Sequence, residues 1–160
     1  MRDHVTFREM SQGDEEAVSA LVEEVFDEFV APDYARGGVE EFKSFILPEK
    51  LLQRLVDEDS LIIVAEEEGE LVGVIDVRDG SHIRLLFVRK DHHGRGIGGR
   101  LFSLARERCA SDNPGLEEIT VNSSPYAIPI YESMGFFVTN PELVRNGIRH
   151  TPMAYRIMPG

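Results

Sequence analysis

The spacing of hydrophobic residues changes from strand-like to helical near the start of the chain. Residues 5–7 alternate apolar and polar side chains, which predicts a short strand. Residues 18–29 repeat apolar side chains at three- and four-residue steps, and this stripe predicts an amphipathic helix. Ser11 and Asp14 precede that helix with the spacing of a capping box, in which Asp stands for the usual Glu or Gln. The pattern over residues 39–56 predicts one or two further helices, interrupted near a proline.

The middle of the chain returns to a strand pattern. Residues 61–65 and 71–77 are rich in β-branched side chains, and the Glu-Glu-Gly turn between them predicts a hairpin. An Asp-Gly turn then leads to a strand over 83–88, so the three strands form an antiparallel meander. A glycine-rich segment follows, and after it a helix with one apolar face ends near Asn113.

A short helix lies within the last third of the chain. It follows a strand over 116–121 and begins near residue 126 or 127, because Pro129 lacks an N–H and suits a first helical turn. Gly135 suits the position just past its end.

The order of elements indicates an α/β fold of the α+β type. Closing strands over 136–138 and 153–157 complete a mixed, mostly antiparallel sheet of six to seven strands flanked by helices. The length of 160 residues suits one domain, so we expect residues 1–160 to form a single domain.

Composition and charge exclude several classes of protein. No apolar run approaches the roughly 18 residues that span a bilayer, and the first residues lack a signal-peptide pattern, so we expect no membrane partner. A single cysteine, Cys109, allows no intramolecular disulfide, and we expect a cytoplasmic protein. The net charge is −12, and 20 of the 29 acidic residues lie in the first 70, so most of the surface would repel nucleic acid. A homodimer is compatible with these features.

The segment VRKDHHGRGIGGRLF, residues 88–102, carries the clearest chemistry. Its glycines lie in residues 93–99, which we call the glycine loop, between a predicted strand and a predicted helix, with basic residues around them. Glycines let successive backbone N–H groups turn inward without side-chain clash, and a helix N-terminus adds partial positive charge. The glycine loop therefore predicts a site for a phosphate-bearing ligand.

The glycine loop shares glycine spacings with two common phosphate-binding motifs. Gly94 and Gly99 have the spacing of a Walker A motif, but Arg100 and Leu101 follow instead of Lys and a hydroxyl residue. Gly94, Gly96 and Gly99 also spell the GxGxxG of dinucleotide-binding folds. The polar RKDHH bridge and the preceding hairpins disfavour such a fold, and NAD stays open as a minor alternative.

The segment IRLLFVRKDHHGRGIGGRLF resembles the acyl-CoA-binding motif of the GNAT N-acetyltransferase superfamily. In that motif a strand leads to [QR]-x-x-G-x-[GA] at the start of a helix. Gly96 and Gly98 match the two small residues, and His93 stands where the family usually has Gln or Arg.

The segment NSSPYAIPIYESMGF is similar to a later motif of the same family, in which Tyr precedes x-x-x-G-F. The matching residues are Tyr131, Gly135 and Phe136. Ser124 lies where the family often has Asn, with Asn122 nearby. The two motifs occur in the family's order, and the flanking elements fit a GNAT-like fold.

The resemblance implies an acyltransferase that moves an acetyl group from acetyl-CoA, its cosubstrate, to a primary amine. In the family a backbone N–H polarises the thioester carbonyl where the strand before the glycine loop splays, and a tyrosine, here Tyr131, protonates the departing thiolate. The residues that the resemblance implies for cofactor binding are Leu86, Phe87, Val88, His93, Gly94, Arg95, Gly96, Ile97, Gly98, Asn122 and Ser124.

The general base for the amine remains open in the sequence. Asp76, Glu28 and His82 are candidates, and a water wire is the alternative. His92 and His93 invite a metal site, but adjacent side chains diverge and no Cys or Glu spacing completes one, so we expect no metal.

The acceptor is a small molecule or peptide whose identity the sequence leaves open. In the family the N-terminal helices wall the acceptor side, and here they carry most of the negative charge, which motivates the hypothesis of a cationic amine such as a polyamine, an aminoglycoside or a lysine side chain. Because His93 departs from the motif and no base is evident, the alternative function is a non-catalytic acyl-CoA-binding sensor or regulatory module.

Overall fold

A mixed β-sheet forms the centre of the molecule. The computed structural model describes residues 4–57 and 59–157. The strands are β1 (Val5–Glu9), β2 (Ser60–Glu67), β3 (Glu70–Arg78), β4 (His82–Val88), β5 (Glu118–Ser123), β6 (Phe137–Val138), β7 (Leu143–Arg145) and β8 (Ile148–Arg156). The helices are α1 (Glu15–Phe29), α2 (Arg36–Phe45), α3 (Pro48–Leu55), α4 (Ile97–Asp112) and α5 (Ile128–Ser133).

The sheet is mostly antiparallel, as the sequence predicted. Its order is β1-β2-β3-β4-β5-β8-β6, and β7 pairs with β8. This confirms the α+β class, but among the described residues the sheet has eight strands rather than six to seven. The strand missed by the sequence pattern is β7, which has only three residues, all exposed, and so presents no alternation of buried and exposed positions.

Strands β4 and β5 run parallel to each other and separate after two residue pairs. His82 pairs with Thr120 and Ile83 pairs with Val121, and the ladder between these strands then ends. This is the splay that the resemblance implied. It leaves the β5 side of residues 84–88 without strand partners, so backbone groups there are available to a ligand.

A bulge in β4 lies where the two strands separate. Asp76 of β3 pairs with Leu85, and the next β3 residue, Val77, pairs with Ile83. Arg84 is therefore the extra residue of the bulge, which bends and twists the strand locally.

The helices cover both faces of the sheet. Residues of α4 and α5 pack with one set of sheet residues, and residues of α1 and α3 pack with another set, joined by partly buried side chains of α2. Along β3, Ile75 and Val77 belong to the α4 side and Val74 to the α1 side, as expected from the alternation of side chains in a strand. The predicted stripe of α1 is buried, at Val18, Leu21, Val22, Val25 and Phe26.

A close backbone contact fixes α2 against the turn before β8. The Gly147 carbonyl oxygen would lie 2.4 Å from a Cβ built on Gly38, and the Ala35 N–H donates to the same oxygen at 2.9 Å. In the same helix the ring of Phe42 stacks on that of Phe26, with centroids 4.1 Å apart.

We expect Gly38→Ala to destabilise the protein by about 1–3 kcal/mol, because the added methyl group collides with backbone that cannot rotate away. The matched control is Gly37→Ala, whose Cβ would meet only the Asn146 carbonyl oxygen, at 3.8 Å. That exposed helical change should be neutral or stabilise by up to about 1 kcal/mol. Urea unfolding of the three proteins measures both effects, and equal stability of the two variants would contradict the contact.

Candidate active site

A cavity of about 480 Å³ lies at the gap between β4 and β5. Its wall includes Leu86 and Tyr131 from the α4 side of the sheet and Val25 and Phe87 from the α1 side. The cavity therefore passes through the sheet at the splay, and two molecules could approach each other from opposite faces.

The structure brings the predicted site residues together around this cavity, with one exception. Those that line it are Leu86, Phe87, Val88, His93, Gly94, Gly96, Ile97, Gly98, Asn122, Ser124 and Tyr131. Their placement is compatible with the roles that the resemblance implied, and the roles themselves stay predictions.

Arg95 is the exception. Its Nη2 lies 2.7 Å from Oε2 of Glu67, so the guanidinium forms an ion pair with β2 and is absent from the cavity wall. The prediction that Arg95 binds the cofactor rests on its place in the motif and stays a prediction, with the side chain paired to Glu67 in this structure.

The glycine loop depends on two left-handed residues. Gly94 has φ of +79° and Gly96 has φ of +78°, a region in which a Cβ is strained. Gly96 is the N-cap of α4, so the first N–H groups of that helix lie at the cavity. A Cβ on Gly98 would lie 3.5 Å from Cε of Met134 and 3.6 Å from Cγ2 of Val88, which is ordinary van der Waals contact, so a larger side chain there would crowd both neighbours.

The sequence pattern did not indicate that a buried histidine next to the glycine loop anchors that loop. His92 is 7% exposed, with Nδ1 2.7 Å from Oδ1 of Asp91 and Nε2 2.8 Å from Oε1 of Glu67. Hydrogen bonds from Arg95 and His92 lower the pKa of Glu67 to about 2. Glu67 thus ties the loop to β2, a role that its turn-like sequence context did not indicate.

The ring of His93 contacts the end of β4. Its Nε2 lies 2.7 Å from the carbonyl oxygen of Val88, and its ring centroid is 5.5 Å from that of Phe29. Phe29 in turn stacks on Tyr126, with centroids 4.8 Å apart. The ring that replaces the family's usual Gln or Arg therefore occupies a backbone acceptor beside the cavity.

Tyr131 is held by α5 and by the aromatic core. The helix begins at Ile128, with Pro129 in its first turn as predicted, and Gly135 follows its end with φ of +103°. Tyr131 is 5% exposed and packs edge-on against Phe136, with centroids 5.2 Å apart. Burial raises the pKa of Tyr131 well above its usual range, so the hydroxyl keeps its proton at physiological pH.

The polar residues at the end of β5 differ in their contacts. Ser124 accepts a hydrogen bond from the Ala127 N–H at 3.3 Å and so helps to start the turn that leads into α5. Ser123 donates to the Ser124 carbonyl oxygen at 2.8 Å. Asn122 is exposed and lines the cavity.

The three candidate bases do not line the cavity. Asp76 is fully buried and paired with Arg54 and Arg84. Glu28 pairs with Lys90 at 2.8 Å on the surface. His82 lies at the far end of β4, where its Nδ1 is 2.7 Å from Oγ1 of Thr120.

Burial lowers the pKa of His82, which would keep the ring neutral, as a base requires. However, His82 does not line the cavity, and this position argues against a role as the base. A water wire needs no side chain at the wall, and the cavity has room for one. Within residues 4–57 and 59–157 no group of three or more His, Cys, Asp or Glu side chains is arranged to hold a metal ion, and no helix is long and apolar enough to cross a membrane.

The known sequences that this chain matches include a family model and a relative of known activity. A family model described as "Acetyltransferase (GNAT) domain" matches residues 30–157, which include the cavity walls from β4, the glycine loop and α5. The peptidyl-lysine N-acetyltransferase YjaB of Salmonella typhimurium is 29% identical over 111 residues, which cover 69% of this chain and 73% of that protein.

Comparison with solved structures gives the same fold. The GCN5-related N-acetyltransferase structure from Rhodopseudomonas palustris superposes with a TM-score of 0.82 at 21% identity, covering 98% of both chains. The PaiA N-acetyltransferase of Thermoplasma acidophilum, solved with coenzyme A, also gives 0.82 at 19% identity, covering 96% of this chain and 99% of that one. With the family match over residues 30–157, these findings confirm the resemblance inferred from the two motifs: this chain is an acyltransferase and belongs to the GNAT family of acetyltransferases.

Proposed function

We propose that this protein transfers an acetyl group from acetyl-CoA to a primary amine, with Tyr131 as the general acid. The observation that carries the proposal is the cavity at the splay, which joins the glycine loop on one face of the sheet to an apolar chamber on the other. The PaiA relative is a complex with coenzyme A, and the YjaB relative acts on peptidyl-lysine, which supports this donor and an amine acceptor.

The glycine loop and β4 supply the binding groups for acetyl-CoA in this proposal. Backbone N–H groups at the start of α4 would face the pyrophosphate, where the helix dipole favours negative charge. The unpaired side of residues 86–88 would bind the pantetheine arm and polarise the thioester carbonyl. His93 would release the Val88 carbonyl for that contact, because its ring now occupies the same acceptor.

The chemical step needs one proton removed and one proton supplied. A neutral amine attacks the thioester carbon, and the ammonium formed passes a proton to water in the cavity. When the tetrahedral intermediate collapses, the C–S bond breaks and the Tyr131 hydroxyl donates its proton to the sulfur. The raised pKa of Tyr131 keeps the hydroxyl protonated in mildly alkaline solution, where more of the amine is neutral.

We expect acetyl-CoA to stabilise the protein against heat, and NAD to have no effect, because a ligand that binds only the native state adds about 2.7 kcal/mol at a hundred times its Kd. Gly98→Val should raise the Kd by about tenfold or more, since its methyl groups crowd Met134 and Val88 at the cavity wall. Gly115→Val, in the turn after α4, is the matched control and should bind normally. Stabilisation by NAD instead of acetyl-CoA would overturn the proposal.

We expect Tyr131→Phe to lower kcat by roughly a hundredfold or more, because general acid catalysis typically contributes that much. Release of the coenzyme A thiol with a panel of amines measures the loss. Tyr155→Phe is the matched control: its ring also packs on Phe136, with centroids 5.6 Å apart, but lies outside the cavity wall. Equal kcat for wild type and Tyr131→Phe would remove Tyr131 from this role, while acetyl-CoA binding without turnover of any amine would favour the sensor alternative.

A further inference from the structure

An ion cluster of Asp76, Arg54 and Arg84, which we call the arginine cluster, lies beneath the acceptor side of the cavity. Oδ2 of Asp76 lies 3.1 Å from Nε of Arg54, and Oδ1 lies 3.0 Å from Nη2 of Arg84. Asp76 is fully buried, and the two arginine side chains are 11% and 15% exposed. The cluster lies on the α1 side of the sheet, because Asp76 follows Val74 in β3 and Arg54 belongs to α3.

The arginine cluster holds more positive than negative charge. Two guanidinium groups share one carboxylate, which leaves one unit of positive charge in a largely desolvated place. Buried charges are normally paired, because taking an ion out of water is costly. Burial lowers the pKa of Arg54. The carboxylate of Asp76 opposes this lowering, and the guanidinium of Arg84 adds to it, because two positive charges lie near each other.

Donors remain unused in the arginine cluster. Nη2 of Arg54 is buried without a hydrogen-bond partner, while Nη1 donates to the Phe45 carbonyl oxygen at 3.0 Å. Arg84 uses Nε and Nη2 on Asp76, and Nη2 also on the Ser60 hydroxyl at 2.6 Å. Among the described residues, Nη1 of Arg84 has no such partner, although Arg84 lines the cavity.

The cavity wall around Arg84 is apolar and lacks negative charge. Val25, Val30, Phe42 and Phe87 line this side. Within residues 4–57 and 59–157 no Asp or Glu contributes to the wall, although the chain as a whole carries 29 acidic residues. The acidic side chains of α1 are therefore outside the chamber, and the wall gives no support to the hypothesis of a cationic acceptor.

We propose that the acceptor amine carries a carboxylate, which binds Arg84, and an apolar group, which packs against Phe42 and Phe87. The inference rests on the proposed acetyl transfer at the same cavity and specifies its substrate class. A carboxylate would accept the free N–H groups of Arg84 and balance the excess charge, and charge-assisted hydrogen bonds of this kind are the strong ones. Small amino acids with apolar side chains combine these features with a primary amine.

Matched acceptors test the proposal on the wild-type protein. L-phenylalanine, L-phenylalaninamide and phenethylamine share the ring and the amine but differ in the carboxylate, and spermidine serves as a cationic competitor. We expect kcat/KM for L-phenylalanine to exceed that of the other three by roughly tenfold to a hundredfold, the usual value of a hydrogen-bonded charge. The amide has the more readily deprotonated amine, so intrinsic reactivity works against the expected order. A repeat with L-leucine and L-leucinamide checks that the preference follows the carboxylate.

Variants of Arg84 test the contact itself. Arg84→Gln should lose the preference for the carboxylate, mainly through KM, and Arg84→Lys, which keeps a charge for Asp76, should keep part of it. Arg78→Gln, at the exposed end of β3 beside Asp79, is the matched control and should behave as wild type. If Arg84→Gln does not fold, the lysine variant and the wild-type acceptor series decide the question.

The outcomes separate this inference from the proposed function on which it rests. Thermal stabilisation by acetyl-CoA, together with equal or faster turnover of phenethylamine or spermidine, would overturn the carboxylate site and leave acetyl transfer intact. Stabilisation by acetyl-CoA without turnover of any carboxylate-bearing amine would also overturn it. Failure of acetyl-CoA to bind would overturn the proposed function and this inference with it.

Discussion

The separation of β4 from β5 is the constraint on which the rest of the structure depends. Parallel pairing ends after Ile83 and Val121, so the next residues of β4 keep backbone donors and acceptors that no strand satisfies. A gap of this kind in a sheet costs free energy unless water, side chains or a ligand meets those groups. His93 meets one of them, the Val88 carbonyl. The cavity is thus a break in the hydrogen-bond ladder and not merely a surface depression.

The arginine cluster is coupled to this break through Arg84. Arg84 is the extra residue of the β4 bulge, and its guanidinium returns to Asp76, which pairs with Leu85 across the β3–β4 ladder. The ion pair therefore bridges the bulge that begins the splay. Asp76, a candidate base in the sequence, holds two arginine side chains in place. One set of contacts thus lies at the opening and places positive charge on its α1 side.

The parts of the site that follow from local sequence could be predicted, and the parts that depend on distant pairs could not. Gly96 and Tyr131 belong to short motifs, because a left-handed turn and a helix start are decided within a few residues. Arg54 meets Asp76 across 22 residues, and Arg95 meets Glu67 across 28. Each of these charged side chains had several plausible partners in sequence, and only the register of the sheet selects one. The ion pair of Arg95 with Glu67 is therefore a contact that its motif did not predict.

Net charge shows the same limit of prediction from the sequence. The value of −12 describes the surface that the protein presents to water, and it favours solubility and repulsion of polyanions. A binding site responds to the few charges that face it at low dielectric, where one buried positive charge in excess outweighs many screened carboxylates. In this chain the surface and the cavity wall have opposite signs. Helix α1 carries acidic residues, whereas the α1 side of the cavity is lined by Arg84 and apolar side chains. The charge that selects a substrate is the charge of the wall and not of the chain.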